Sequence, residues 1–173
     1  MKLTKIETPP RTRIDTTVGT RVFAGDVMLY GDTGLRRLAS WSVYDVNIPS
    51  YIQGLEQMEV STSRPGGIWI RRIGDTVILR VAYAKASQPN PIISPFPNGF
   101  GGSRSGSPYP AAPLGYKQDG VYKFSTMEIG HSLYRFRIPQ GAEITSEGTG
   151  GYSIEITWTT NQPWPSSLPG TPA

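Results

Sequence analysis

The sequence has no cysteine. Disulfide bridges, thiolate nucleophiles and cysteine-based metal sites are therefore excluded, and no redox compartment can be inferred. His131 is the single histidine, and no metal-binding motif supplies carboxylates to go with it, so a loop or surface histidine is the plainer reading. No apolar run approaches the ~20 residues needed to span a membrane. The first residues, Met1 to Glu7, lack the apolar stretch of a signal peptide. These absences predict synthesis in the cytoplasm without membrane insertion. A nucleophile elbow, a phosphate loop and a dinucleotide fingerprint are all missing. Asp26 and Asp32 form the one carboxylate pair to weigh for glycoside hydrolysis. Yet Asp32 lies in Gly31-Asp32-Thr33-Gly34, where an aspartate bonding to its own turn explains it. The expectation is a protein without catalytic residues, metal or cofactor.

Charge is sparse and mixed. Charged residues make up 17% of the chain and leave a net +4, scattered over both signs, which hints at an anionic partner without the clustered footprint of nucleic-acid binding. Glycine and proline, by contrast, are abundant at 20 and 16 of 173 residues. Interior proline costs a helix about 3 kcal/mol, and no window shows a sustained helical period. An all-β, antiparallel fold follows, either a β-sandwich or a jelly-roll-like single domain.

The strongest organising stretch runs from Gly67 to Tyr83, two β-branched and aromatic runs joined by Gly74-Asp75, which is a two-residue hairpin signal. Closing the turn there pairs Ile70 with Leu79, Trp69 with Arg80 and Ile68 with Val81. One face carries Ile68, Ile70, Val77, Leu79 and Val81, and the other Trp69, Arg71, Ile73, Ile78 and Arg80. Apolar weight on both faces calls for cover by a second sheet or a neighbouring subunit. Strand alternation is also clear over Leu133–Ile138, with Arg135 and Arg137 on one side. It is clearer still over Tyr152–Thr159, where Tyr152, Ile154, Ile156 and Trp158 point to a core. Residues 1–20 are expected as an extended arm before a domain spanning 21–173. Residues 87–120, rich in Pro, Gly, Ser and Asn, are expected as a long loop, and 159–173 as a C-terminal extension without regular structure, pinned by Trp164 and Leu168.

Two surfaces are candidates for binding. The long loop carries Phe96, Phe100, Tyr109 and Tyr116, rings suited either to stacking on sugar or to burial against a sister subunit. The central hairpin offers Trp69, Arg71 and Arg80, which together with Arg72, Arg135 and Arg137 on adjacent strands would make a basic aromatic face for a nucleic acid or an anionic glycan. Outward arginines that keep a sheet soluble are the blander alternative.

Three segments carry a resemblance. Tyr30-Gly31-Asp32-Thr33-Gly34 with its Arg-rich continuation, Ile70 to Leu79, and Thr157 to Gly170 together resemble small minor tail proteins of actinobacteria-infecting tailed bacteriophages, over about Thr20 to Ala173. Leu35 departs from that pattern, since those proteins often carry Trp after the turn. The resemblance implies a structural virion protein of the tail or tail tip. Other tail proteins would be its partners, and it would form a homo-oligomer, with a trimer as the first expectation, in contact with host cell-wall glycan. It implies no catalytic residues. The alternatives are a purely architectural capsid decoration or assembly protein without ligand, and an enzyme degrading cell-envelope polysaccharide.

Overall fold

The central hairpin forms in the expected register. A computed structural model describes residues 12–24, 27–41, 46–58, 66–95, 98–102, 111–130, 133–145 and 153–173. In it β8 (Gly66–Ile73) and β9 (Thr76–Ala82) pair Ile70 with Leu79, Trp69 with Arg80 and Ile68 with Val81. Gly74 opens the two-residue turn at φ 55°, a conformation open to glycine because it has no Cβ. The hairpin is the middle of a nine-stranded antiparallel sheet. On one side β9 pairs along its length with β16 (Ser153–Thr159). On the other, β8 meets β4 (Arg36–Trp41), and its last residue Ile73 meets Asp32 of β3 (Val27–Asp32). Outside β3 lie β2 (Thr20–Ala24) and β1 (Thr12–Asp15). The free edge of β4 is shared by two short strands, β5 (Val46–Asn47) at Ser40 and Trp41 and β17 (Thr171–Pro172) at Arg36 and Arg37.

The second sheet has eight strands in the order β6, β11, β14, β13, β12, β15, β10, β7. These are β6 (Ile52–Gln53), β7 (Leu55–Gln57), β10 (Ala84–Ala86), β11 (Ile92–Ile93), β12 (Ala111–Gln118), β13 (Val121–Ile129), β14 (Tyr134–Phe136) and β15 (Glu143–Ile144). Its first and last strands, β6 and β7, are separated in the chain by Gly54 alone. The sheet therefore curls almost into a barrel, which is one way to dispose of open edges. Tyr83, at φ 54°, is the point where the chain leaves β9 and enters β10 in the other sheet.

One core fills the space between the sheets. Ile68, Ile70, Val77, Leu79, Val81, Ile156 and Trp158 come from the first, and Ile93, Leu114, Met127, Ile129, Tyr134, Phe136 and Ile144 from the second. The alternation expected over 153–159 is present: Ile156 and Trp158 are buried, Ile154 is half-buried against the core, and Glu155 and Thr157 are exposed. Tyr152 lies outside the described residues, as do His131 and Asp26. Along β14, Tyr134 and Phe136 are buried and Arg135 faces outward, again as alternation requires.

Three expected boundaries need correction. The 87–120 segment is not one loop, because it contains β11 and the eight-residue β12. Pro113 fits in β12 because β15, on that strand's far side, pairs only with Tyr116 and Lys117, so no partner there needs its missing N–H. The expected arm is strand from Thr12 to Asp15 and again from Thr20, and 1–11 lie outside the described residues. The C-terminal extension regains order in β17, while Leu168 packs on the core as expected.

Candidate functional site

Strand parity places Arg72 on the same face of β8 as Ile68 and Ile70, and it is 2% exposed. A buried guanidinium is costly unless its donors are met. Here Nε donates to Gly74 O at 2.7 Å, one terminal nitrogen to Gly99 O at 2.5 Å and Pro163 O at 2.9 Å, and the other to Gln162 O at 3.0 Å. The exposed Asp75 carboxylate stands 3.6 Å away, and the Trp164 ring lies 5.2 Å from the guanidinium carbon. Burial pulls the Arg72 pKa down and Asp75 opposes that pull. Arginine stays charged well beyond neutral pH in any case.

The acceptors of Arg72 belong to a latch. Gln162, itself buried, accepts the Gly99 and Gly101 amides at 2.6 and 3.2 Å. Between those glycines, the Phe100 carbonyl accepts the Tyr134 hydroxyl at 2.5 Å and the Trp158 indole N–H at 3.0 Å. The Tyr134 and Trp158 rings meet edge to face, with centroids 5.0 Å apart. One donor comes from each sheet, so the 98–102 segment ties both sheets to the C-terminal chain. Trp164 extends the tie to the N-terminal strands by donating to Val18 O at 2.9 Å. Arg72, Gln162, Phe100, Tyr134 and Trp158 are buried in this cluster, while Trp164 is half-buried and Pro163 and Asp75 are exposed at its margin.

Of the four rings expected on the loop, the two among the described residues, Phe100 and Tyr116, are not displayed as a surface platform. Phe100 is fully buried, so it cannot present its ring to a surface or to a subunit. Tyr116, on β12, is half-buried and packs against the core. Phe96 and Tyr109 lie outside the described residues. The basic aromatic face is only partly assembled. Trp69, Arg71 and Arg80 do share the outer face of the central hairpin, with Arg80 5.8 Å from the Trp69 ring centre. Arg71, however, is held by Asp32 through a fork of 3.0 and 2.5 Å bonds, and this is the main reason the Asp32 pKa is lowered. Arg72 points into the core. Arg135 and Arg137 belong to the other side of the molecule, where both bond to Glu128.

Two accessible features were not anticipated. The first is the hairpin of β12 and β13, turned at Asp119-Gly120 with φ values of 53° and 80°. All four residues from Val121 to Phe124 are exposed, including Phe124 at 72% and Val121 at 57%. β14 pairs with β13 only from Met127 onward, so among the described residues no strand covers the outer edge of 121–124. The Asp-Gly pair was the available signal, a strong hairpin marker between strands. The second is a cleft of about 300 Å³ on the free edge of β4, lined by Arg37, Leu38, Ala39, Ser40, Asn47, Pro49, Tyr51, Gly170 and Thr171.

Comparison with protein-family models, with curated proteins and with solved structures finds no match to this chain.

Proposed function

We propose that this chain is a structural protein of a bacteriophage tail, built to pack against other copies of itself and against neighbouring tail proteins rather than to catalyse. The observation that carries this reading is the bare strand Val121–Phe124. An apolar edge with unpaired backbone groups is a template for strand addition, and soluble proteins usually blunt or cover such edges. Val121 on one face and Tyr122 and Phe124 on the other put apolar side chains on both sides of that strand, which a solitary surface hairpin does not require. A second copy is the occupant that suits the strip. Asp119 stands at one end and Lys123 within it, with Lys117 opposite Tyr122, so two such strips can set acid against base. The latch at Arg72 fits the same role, since it rigidifies the body from which the hairpin extends. The segment resemblance supplies the tail assignment, with location in the virion and a homo-oligomer, trimeric by expectation.

A second reading uses the same rings as a platform for host cell-wall glycan, because exposed Tyr122 and Phe124 offer flat apolar faces. Phe124→Ser separates the two. The assembly role predicts that the variant folds but fails to enter particles. The glycan role predicts normal particles that no longer adsorb to host cells. A variant that assembles and adsorbs normally would leave this strand without either role.

A further inference from the structure

The first three strands stand apart from the core that the rest of the chain shares. β1 pairs with β2 over four residues and β2 with β3 over five, but β3 meets β8 through one pair, Asp32 with Ile73. The chain of β8 turns back at Gly74, so the earlier part of β3 runs past the end of the central hairpin. No described side chain between Thr12 and Tyr30 is buried, and among the described residues the shared core begins at Leu38. Buried apolar area is the main support of a packed strand. A meander that contributes none of it depends on its contacts with the body, and such regions open at low cost.

Those contacts fall into a fixed end and a clasp. At the fixed end Thr33, buried, donates its N–H to Arg72 O at 2.9 Å and accepts the Arg72 N–H on its hydroxyl at 2.8 Å. Asp32 beside it is held by the fork from Arg71. Just outside, the Gly31 carbonyl accepts the Gly74 N–H at 2.7 Å. The clasp is Trp164. Its ring lies so close to Gly31 that a Cβ there would stand 2.5 Å from it, and its indole N–H donates to Val18 O in the link between β1 and β2. Gly31 therefore has no side chain to resist turning where the meander leaves the fixed end, which is how a short hinge works.

From this pattern we propose that the β1–β3 meander is a hinged flap, fixed at Asp32 and Thr33 and latched by Trp164, which opens as a unit while the core stays closed. Opening breaks the Gly74–Gly31 and Trp164–Val18 bonds and uncovers the Trp164 ring. The ladders within the meander and the Thr33–Arg72 bonds remain. The flap stands or falls independently of the assembly role of β13.

Hydrogen exchange of the full chain, followed by NMR where the rate reports the open population, tests the proposal through the Gly74 N–H. That amide should exchange faster than the ladder amides of β9 and β16, which open only with the whole molecule. Trp164→Phe removes the donor to Val18 and should speed Gly74 exchange about 2- to 10-fold, the factor for one net hydrogen bond. Ile156→Val trims a side chain that stays packed when the flap is open. It should speed the β9 and β16 amides by about the same factor and leave Gly74 unchanged. The Trp164 indole N–H of the unmodified side chain should share that indifference to Ile156→Val, which serves as the test if Trp164→Phe does not fold. A Gly74 rate that ignores Trp164→Phe would mean that only the hairpin turn frays. Gly74 and indole rates that follow Ile156→Val as the core amides do would mean that the meander leaves only on global unfolding. Either result overturns the proposal.

Discussion

Arg72 shows how a single residue can follow strand geometry against its own chemistry. The register of the hairpin gives it no choice of face, because residues two apart in a strand share one side. The fold answers by bringing carbonyls from three separate segments to its five donors. Replacing it with Met would keep the stem but leave those carbonyls buried without partners. A loss of at least about 1–3 kcal/mol is expected, the cost of leaving a buried acceptor without its donor, measured by chemical denaturation. Lysine should not restore the loss, since one ammonium cannot reproduce the planar fork. Arg71, one position along, behaves in the opposite way: it faces outward and lowers the Asp32 pKa through a two-pronged bond. A carboxylate with a lowered folded-state pKa adds stability above the ordinary value of 3.8, and that contribution disappears as pH falls through the lowered one. Arg71→Met should therefore reduce stability at neutral pH and flatten its decline below about pH 4, read from urea midpoints across a pH series. That Arg72 would be interior was legible in principle from the alternation of Ile68 and Ile70. Arg37 was not legible, because its place opposite Trp69 depends on a register shift in β4 between Arg37 and Ala39.

Among the elements, those that could be read from the sequence carry their own pattern. β8 and β9 have β-branched runs around Gly74-Asp75, and β16 alternates apolar and polar residues. For β16 the consequence is testable: Ile156→Ala should cost about 2–5 kcal/mol, because the side chain is 3% exposed within the shared core. A calorimetric scan showing an unchanged melting temperature would mean that the site is not rigidly packed. The element that sequence reasoning dissolved into a loop, β12, carries Pro113 and Gly115, both poor strand formers. Its order comes from outside, from eight paired residues of β13. β1 was hidden for a different reason. Its Thr12, Arg13 and Ile14 are all exposed, so it has no buried face to imprint a period of two, and pairing with β2 alone defines it. β17 is two residues long and is placed by Arg36 and Gly170 rather than by any pattern of its own.

For the molecule as a whole, one sheet open along its outer face and a second curled almost into a barrel enclose a single core. The sheets are stitched together at Phe100. The all-β sandwich-like fold was legible from composition, from the density of proline and from strand alternation. The exposed surfaces were legible only in part, because which aromatic ring ends outside depends on pairing partners far away in sequence. Phe100, expected at the surface, became a core residue, and Phe124, passed over, is the most exposed aromatic ring among the described residues. We propose that the uncovered stretch Val121–Phe124 of β13 is where one copy meets the next. Sedimentation velocity at micromolar concentration, run on the unmodified chain beside Phe124→Ser, tests it most directly. The account predicts an oligomer for the unmodified chain and a folded monomer, with an unchanged circular dichroism spectrum, for the variant. A monomer in both cases, or an oligomer that survives the substitution, would contradict it.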